Sequence, residues 1–265
     1  LHIGSRHLGL LQAEEIGDLK SKISSLAEVL KETIDVDALL EIASKVEIEP
    51  VENLFGKEKD RYKGLKIGIA KDRGFSFYYN DNIELLEYLG AEIEYFSPVA
   101  DKKIPENADV IYFGGGYPEN FAKELSENRS MIESIREFYH NNGKIFGECG
   151  GFMFLSKEIE TLDGVKFPMC NLIDCSIKMG NRLDISRFGY INLLKENKAI
   201  GRGHEFHYSK IKEIGNDTRK YTAVKKDGRE WNCIFEEKGL KGGYPHIHFF
   251  TSFDLLKDIL EKEGK

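Results

Sequence analysis

The sequence predicts an α/β domain, a mostly parallel sheet flanked by helices, preceded by a short helical segment. Three observations carry this. From residue 65 onward, short apolar runs alternate with stretches whose apolar residues recur at helical spacing. Strands separated by helical crossovers pair in parallel and are covered by those helices. Residues 18–46, by contrast, show only helical periodicity. Finally, glycine clusters follow two of the apolar runs, at the carboxyl ends of strands, where open α/β sheets place their chemistry.

Within the first segment, Leu19, Ile23, Leu26, Ala27 and Leu30 fall on one helical stripe, and Leu39, Leu40, Ile42 and Ala43 on another. Asp35 and Asp37 stand where the second helix would begin. Residues 47–64 hold Pro50, Gly56, Gly64 and a charged run, and read as a linker. The chain thus divides into a helical segment, 1–64, and an α/β domain, 65–265. In the latter, strands are expected at 65–70, 91–96, 110–113 and 144–146, and helices at 82–89, 119–125 and 131–139. After about residue 158 the pattern turns toward strands, at 189–194, 203–208, 221–225, 233–235 and 243–250, with a closing helix over 252–262. No internal repeat or low-complexity tract interrupts this order.

Composition narrows the function. A hydrophobic content of 41% over 265 residues suffices for a buried core. No run approaches the roughly 18 apolar residues of a membrane span, and no secretory signal opens the chain, so a cytoplasmic protein without a membrane partner is expected. A net charge of -7, with basic residues interleaved among acids, argues against a nucleic-acid partner. Cys149, Cys170, Cys175 and Cys233 form no C-x-x-C pair and read as free thiols, the last three as small buried hydrophobes. A chain starting at Leu1 suggests a processed protein or a piece of something longer.

The strongest local signal is Gly147-Glu148-Cys149-Gly150-Gly151, between the strand at 144–146 and the helical run 152–155. It is a G-x-C-x-G nucleophile elbow: small residues two positions either side permit the tight turn that presents the side chain. The following helix N-terminus favours a thiolate, and the Gly150 N–H is placed for an oxyanion. The bland alternative is a core cysteine in a glycine-rich turn. A second cluster, Gly114-Gly115-Gly116, offers backbone N–H groups to complete an oxyanion hole, or is simply a tight turn. No phosphate-cradling G-x-x-x-x-G-K-[ST] occurs.

Cysteine chemistry needs a base. His204 and His207 form one histidine pair, His246 and His248 another. The second lies on the strand expected at 243–250, which would put both rings on one face within reach of the thiol. H-x-H on a strand is also a metal-ligand spacing, though no obvious third ligand accompanies it. The aromatic run Phe75-Ser76-Phe77-Tyr78-Tyr79 reads equally as core or as a substrate wall.

Taken together, Arg6-His7-Leu8-Gly9-Leu10, residues 67–72 and 75–82, Phe96-Ser97-Pro98, residues 114–119, 148–152 and 203–209 resemble the tetrapyrrole a,c-diamide synthases, which act on cobyrinate or on nickel-sirohydrochlorin. The resemblance runs over nearly the whole chain. It implies a flavodoxin-like class I glutamine amidotransferase domain, with an N-terminal ATP-binding domain absent from this chain. It also implies Cys149 as nucleophile toward glutamine and a histidine of 244–248 as base, His246 first and His248 in reserve, with Gly115, Gly116 and Gly150 holding the oxyanion. Ammonia would pass to the absent domain, where ATP and Mg2+ activate the a and c acetates of the tetrapyrrole; no cofactor or metal is expected here. The His-Pro-Glu of many class I glutaminases is missing, so a Cys-His dyad or a carboxylate from elsewhere is implied, Glu205 being the weak candidate. A cysteine hydrolase or peptidase of this fold and a silent tetrapyrrole-binding module are the competing functions.

Overall fold

The computed structural model describes residues 13, 16–49 and 52–261, which fall into two compact units, 1–57 and 58–265. The Arg6–Leu10 motif, Pro50 and the last residue of the expected closing helix lie outside the described residues.

The first unit carries α1 (Leu19–Thr33) and α2 (Val36–Ser44). Asp35 caps α2, its side chain accepting the Ala38 N–H at 2.9 Å, as its position ahead of the apolar run requires. Neither helix buries a residue; Ile23, Leu39, Leu40 and Ile42 are all exposed.

The second unit runs through β1 (Lys66–Ala70), β2 (Phe75–Phe77), α3 (Asn80–Tyr88), β3 (Glu92–Phe96), β4 (Val110–Phe113), β5 (Gly115–Gly116), α4 (Ala122–Glu127), α5 (Arg129–His140), β6 (Lys144–Glu148) and α6 (Gly150–Leu155). It continues through β7 (Ser156–Glu160), β8 (Lys166–Pro168), β9 (Ile173–Lys178), β10 (Gly189–Lys195), β11 (Lys198–Glu205), β12 (Lys210–Ile214), β13 (Tyr221–Val224), β14 (Glu230–Asn232), β15 (Ile234–Glu237), β16 (Leu240–Gly243), β17 (His246–Ile247) and α7 (Phe253–Leu260). The central sheet has the order β15-β16-β6-β4-β1-β3, parallel throughout except for the β15–β16 hairpin at its edge. This is the predicted α/β architecture. Its buried strands read as unbroken apolar runs, because both faces of a parallel sheet are covered. Two further sheets, β14-β13-β10-β11-β17 and β12-β9-β7-β8, account for the strand-rich second half.

Several boundaries differ from the sequence expectation. Residues 58–64 pack on the end of α3, the Tyr62 N–H donating to Leu89 O at 2.7 Å, and so belong to the second unit rather than to a linker through residue 64. The strand expected over 243–250 is broken in two. Pro245 has no N–H to give a ladder, so β16 ends at Gly243, β17 is only His246–Ile247, and a 3-10 turn takes over at Phe249. The aromatic run 75–79 divides its duties. Phe75 is buried in an aromatic cluster with Phe113 and Phe154, whereas Tyr79 stays 37% exposed beside the histidines.

Candidate active site

Registry brings the carboxyl ends of three strands level: Phe113 of β4 lies beside Gly147 of β6, and Glu148 beside Gly243 of β16. Cys149 follows at the β6–α6 junction with φ 47° and ψ -101°, a backbone conformation that L-residues adopt only under strain. Its N–H donates to Gly243 O at 2.8 Å and its carbonyl accepts from the Met153 N–H at 3.0 Å, so both neighbouring segments hold the turn. The flanking glycines are steric requirements. A β-carbon on Gly147 would lie 2.5 Å from a Leu155 methyl, and one on Gly151 only 2.1 Å from Phe113 O.

The second glycine turn lies directly against this elbow. The Gly151 N–H donates to Gly114 O at 2.9 Å, and a β-carbon on Gly150 would come within 2.9 Å of Gly116 N. The Tyr78 hydroxyl fixes the turn from behind, accepting the Gly114 N–H at 2.8 Å and donating to Ala70 O. On its other side sits His246, whose Cε1 would be 2.5 Å from a β-carbon on Gly115. The Gly114–Gly116 turn is therefore sandwiched between the Cys149 elbow and the His246 ring, and the structure gathers Cys149, Gly150, Gly115, Gly116 and His246 into one site.

Electrostatically the resting site is neutral. Cys149 is buried, and burial pushes its thiol well above the ordinary value; nearby Glu119 adds to this, and the Gly150 N–H opposes it. The helix N-terminus expected to favour a thiolate belongs to a helix only six residues long, and burial acts in the opposite direction. Burial likewise drives the half-buried His246 ring down to about 3, with His204 and His207 contributing, so the imidazole is uncharged. His204 stacks on it, ring centroids 4.9 Å apart and planes 16° from parallel, and holds the Tyr79 hydroxyl at Nδ1, 3.1 Å away.

The other predicted groups lie apart from this sandwich. His248 comes after β17 has ended, and its Nε2 faces Asp81 at 3.4 Å while its ring abuts Tyr79 and Phe250. Glu205 is fully buried but receives His207 Nε2 at 3.1 Å and the Trp231 indole N–H at 3.0 Å, so it orients His207 rather than His246. His207 stacks on Tyr244 at 3.7 Å. Cys170, Cys175 and Cys233 are buried, and all four cysteines are free. Among the described residues no three His, Cys, Asp or Glu side chains converge as a metal site, and no helix is long and apolar enough to cross a membrane.

Two buried polar residues escaped the sequence reading. Glu148 accepts the Ile247 N–H at 2.7 Å and the Tyr112 hydroxyl. Asn82 donates to Ile247 O and accepts the Phe249 N–H, both at 2.7 Å. The available signal was a lone carboxylate at the end of an apolar strand, immediately before the nucleophile.

Comparison with known proteins agrees with this geometry. Residues 66–253 match the model of the CobB/CobQ-like glutamine amidotransferase domain. The chain is 54% identical to a cobyrinate a,c-diamide synthase of Fusobacterium nucleatum over 98% of its length and 60% of the relative's. It is 41% identical to a synthase of the same name from Clostridium tetani, over 99% of this chain and 60% of that protein. It thus spans about 60% of the relatives it matches. Among solved structures, a glutamine amidotransferase superposes with a TM-score of 0.53 at 16% identity, covering 74% of this chain and 97% of that one. PurLQS from Thermotoga maritima superposes at 0.50 and 16%, over 74% and 97% respectively; both establish shared fold alone. With the family model covering residues 66–253, including the central sheet and the elbow, the chain belongs to the CobB/CobQ-like glutamine amidotransferase domain family.

Proposed function

We propose that this domain releases ammonia from glutamine with Cys149 as nucleophile and His246 as its base. The observation that carries the reading is the sandwich: a strained cysteine elbow, a second glycine turn against it, and a neutral histidine resting on that turn. A neutral imidazole can accept the thiol proton as sulfur attacks the carboxamide carbon. The oxyanion that forms lies at the Gly150 N–H and a Gly115 or Gly116 amide, ammonia leaves with the proton returned by His246, and water hydrolyses the thioester. His246 is preferred to His248 because the latter faces Asp81 and packs on the Tyr79 ring, away from the Gly115 turn.

The chain serves in this reading as the glutaminase part of an ATP-dependent tetrapyrrole a,c-diamide synthase. That whole activity is named for relatives of which the chain spans about 60%. The remaining part would bind ATP and Mg2+ and activate the a and c acetates of cobyrinate or nickel-sirohydrochlorin, and the helices α1 and α2 would belong to the segment joining it to the glutaminase domain. Four free thiols fit a cytoplasmic setting. The test is labelling by 6-diazo-5-oxo-norleucine, a glutamine-analogue electrophile, read by peptide mass spectrometry with and without the ATP-binding part. Labelling at Cys149 that glutamine blocks and Cys149→Ala abolishes is expected. Absence of labelling in both settings would favour a silent binding module and overturn the reading.

A further inference from the structure

Resting on the reading of His246 as the base, the question is what holds its ring in place. No hydrogen bond to either ring nitrogen of His246 is found among the described residues. The carboxylates that contact histidines here serve other rings, Glu205 that of His207 and Asp81 that of His248. Stacking on His204 and contact with Gly115 hold the faces of the ring, so its placement along the site falls to the backbone, and β17 is only two residues long, paired on one side with β11 through Gly203–Ile247 and His204–His246.

Its other side has no strand. Ile247 turns its N–H and C=O away from β11, as alternate residues of an antiparallel ladder do. Both groups, together with the Phe249 N–H, are met by side chains: Glu148 takes the Ile247 N–H, and Asn82 takes the Ile247 carbonyl and the Phe249 N–H, each at 2.7 Å. Glu148 and Asn82 are 3% and 1% exposed, and the Tyr112 hydroxyl, donating to the second Glu148 oxygen, fixes the carboxyl itself. Glu148 is also the residue before the nucleophile. The Cys149 N–H bond to Gly243 O and the Glu148 bond to the Ile247 N–H thus stitch the nucleophile's segment to the histidine's at two points four residues apart on the latter.

We propose that Glu148 and Asn82 are positioning residues that clamp the β17 backbone and thereby set His246 against Cys149, in the place a ring-binding carboxylate takes in other cysteine–histidine sites. Loosening the clamp by about 1 Å would lower turnover on the order of 100-fold while leaving glutamine binding nearly intact.

The test uses the full chain together with its ATP-binding part, with Asn82→Asp, Glu148→Gln and Glu148→Ala variants. Asn82→Asp removes the one donor to Ile247 O among the described residues, whereas Glu148→Gln keeps an oxygen for the Ile247 N–H. The expected result is a fall in kcat of about 100-fold for Asn82→Asp and Glu148→Ala, KM for glutamine within about threefold, and substantial rescue in Glu148→Gln. Equal losses in Glu148→Gln and Glu148→Ala, wild-type kcat in folded Asn82→Asp, or loss of fold in both isosteric variants would overturn the assignment. Failure of the wild type to label at Cys149 would instead remove the glutaminase reading itself.

Discussion

Gly115→Ala presses chiefly on the contact on which the site is built, with Phe77 Cβ a lesser neighbour at 3.2 Å. Gly115 adopts a backbone conformation open to any residue, so alanine adds no backbone strain, only a methyl. That methyl would lie 2.5 Å from His246 Cε1, where ordinary contact begins near 3.4 Å, so the ring must retreat by about 0.9 Å. Misplacing a reacting group by about 1 Å lowers turnover on the order of 100-fold, equivalent to about 2.7 kcal/mol of transition-state stabilisation. The cost to folding should stay near the low end of overpacking, about 1 kcal/mol, because a half-buried ring can shift. The assay is steady-state glutamine hydrolysis and the rate of Cys149 labelling, with urea denaturation alongside. Gly116→Ala is the control: its methyl would sit 2.1 Å from Gly74 O, a backbone atom that cannot yield, so it should damage the fold itself. A folded Gly115→Ala protein with wild-type kcat and labelling rate would refute the role of His246 as the base.

Two further predictions follow from the same geometry. Cys149→Ala and Cys149→Gly should both abolish labelling and hydrolysis, but the glycine variant should be more stable by about 1 kcal/mol in urea denaturation, since only glycine occupies φ 47° without a β-carbon clash. Stability should also depend on pH through two buried groups of opposite sense. His246 is depressed from 6.5 to about 3, so its contribution is present above pH 6.5 and lost as pH falls toward 3; His246→Ala should flatten that acid limb in denaturation curves. Burial raises Glu148 from 4.5 to about 8 despite its two donors, so its contribution is present below pH 4.5 and lost as pH rises through 8, and Glu148→Gln should flatten the alkaline limb.

The elbow was legible because its pattern is local: Gly147, Cys149 and Gly151 sit between an apolar strand and a helix, although only Gly147 excludes a side chain for local reasons, Gly151 being crowded by Phe113 of the neighbouring strand. The parallel sheet was legible because doubly covered strands leave unbroken apolar runs. What escaped was long-range. The pairing of β7 with β9 and of β9 with β12 joins short strands of mixed polarity whose partners lie far along the chain. Nothing near Glu148 indicates that its acceptor duty is toward Ile247, ninety-nine residues away. The division between His246 and His248 turned on two breaks in the expected strand: Pro245, lacking an N–H, interrupts it before β17, and the 3-10 turn from Phe249 ends it before the second ring.

The neutrality of the resting site is itself an argument about mechanism. Burial disfavours charge on both partners, raising the Cys149 thiol and lowering the His246 ring, so moving the proton between them in the empty site is uphill by 1.36 kcal/mol for every unit separating the two values. A separated thiolate–imidazolium pair is therefore not the resting state, and sulfur becomes nucleophilic only as its negative charge is passed on. In the proposed mechanism the place it can go is the carboxamide oxygen, where the Gly150 N–H and a Gly115 or Gly116 amide would present fixed dipoles that need no reorganisation. In that mechanism proton transfer and attack are then coupled: the imidazolium is transient, the developing oxyanion compensates it, and the thiol stays unreactive until a carboxamide is bound. If His246 is the base as proposed, one tuned to about 3 is weak but gives its proton readily to the leaving amide nitrogen, so the burial that slows the first transfer speeds the second.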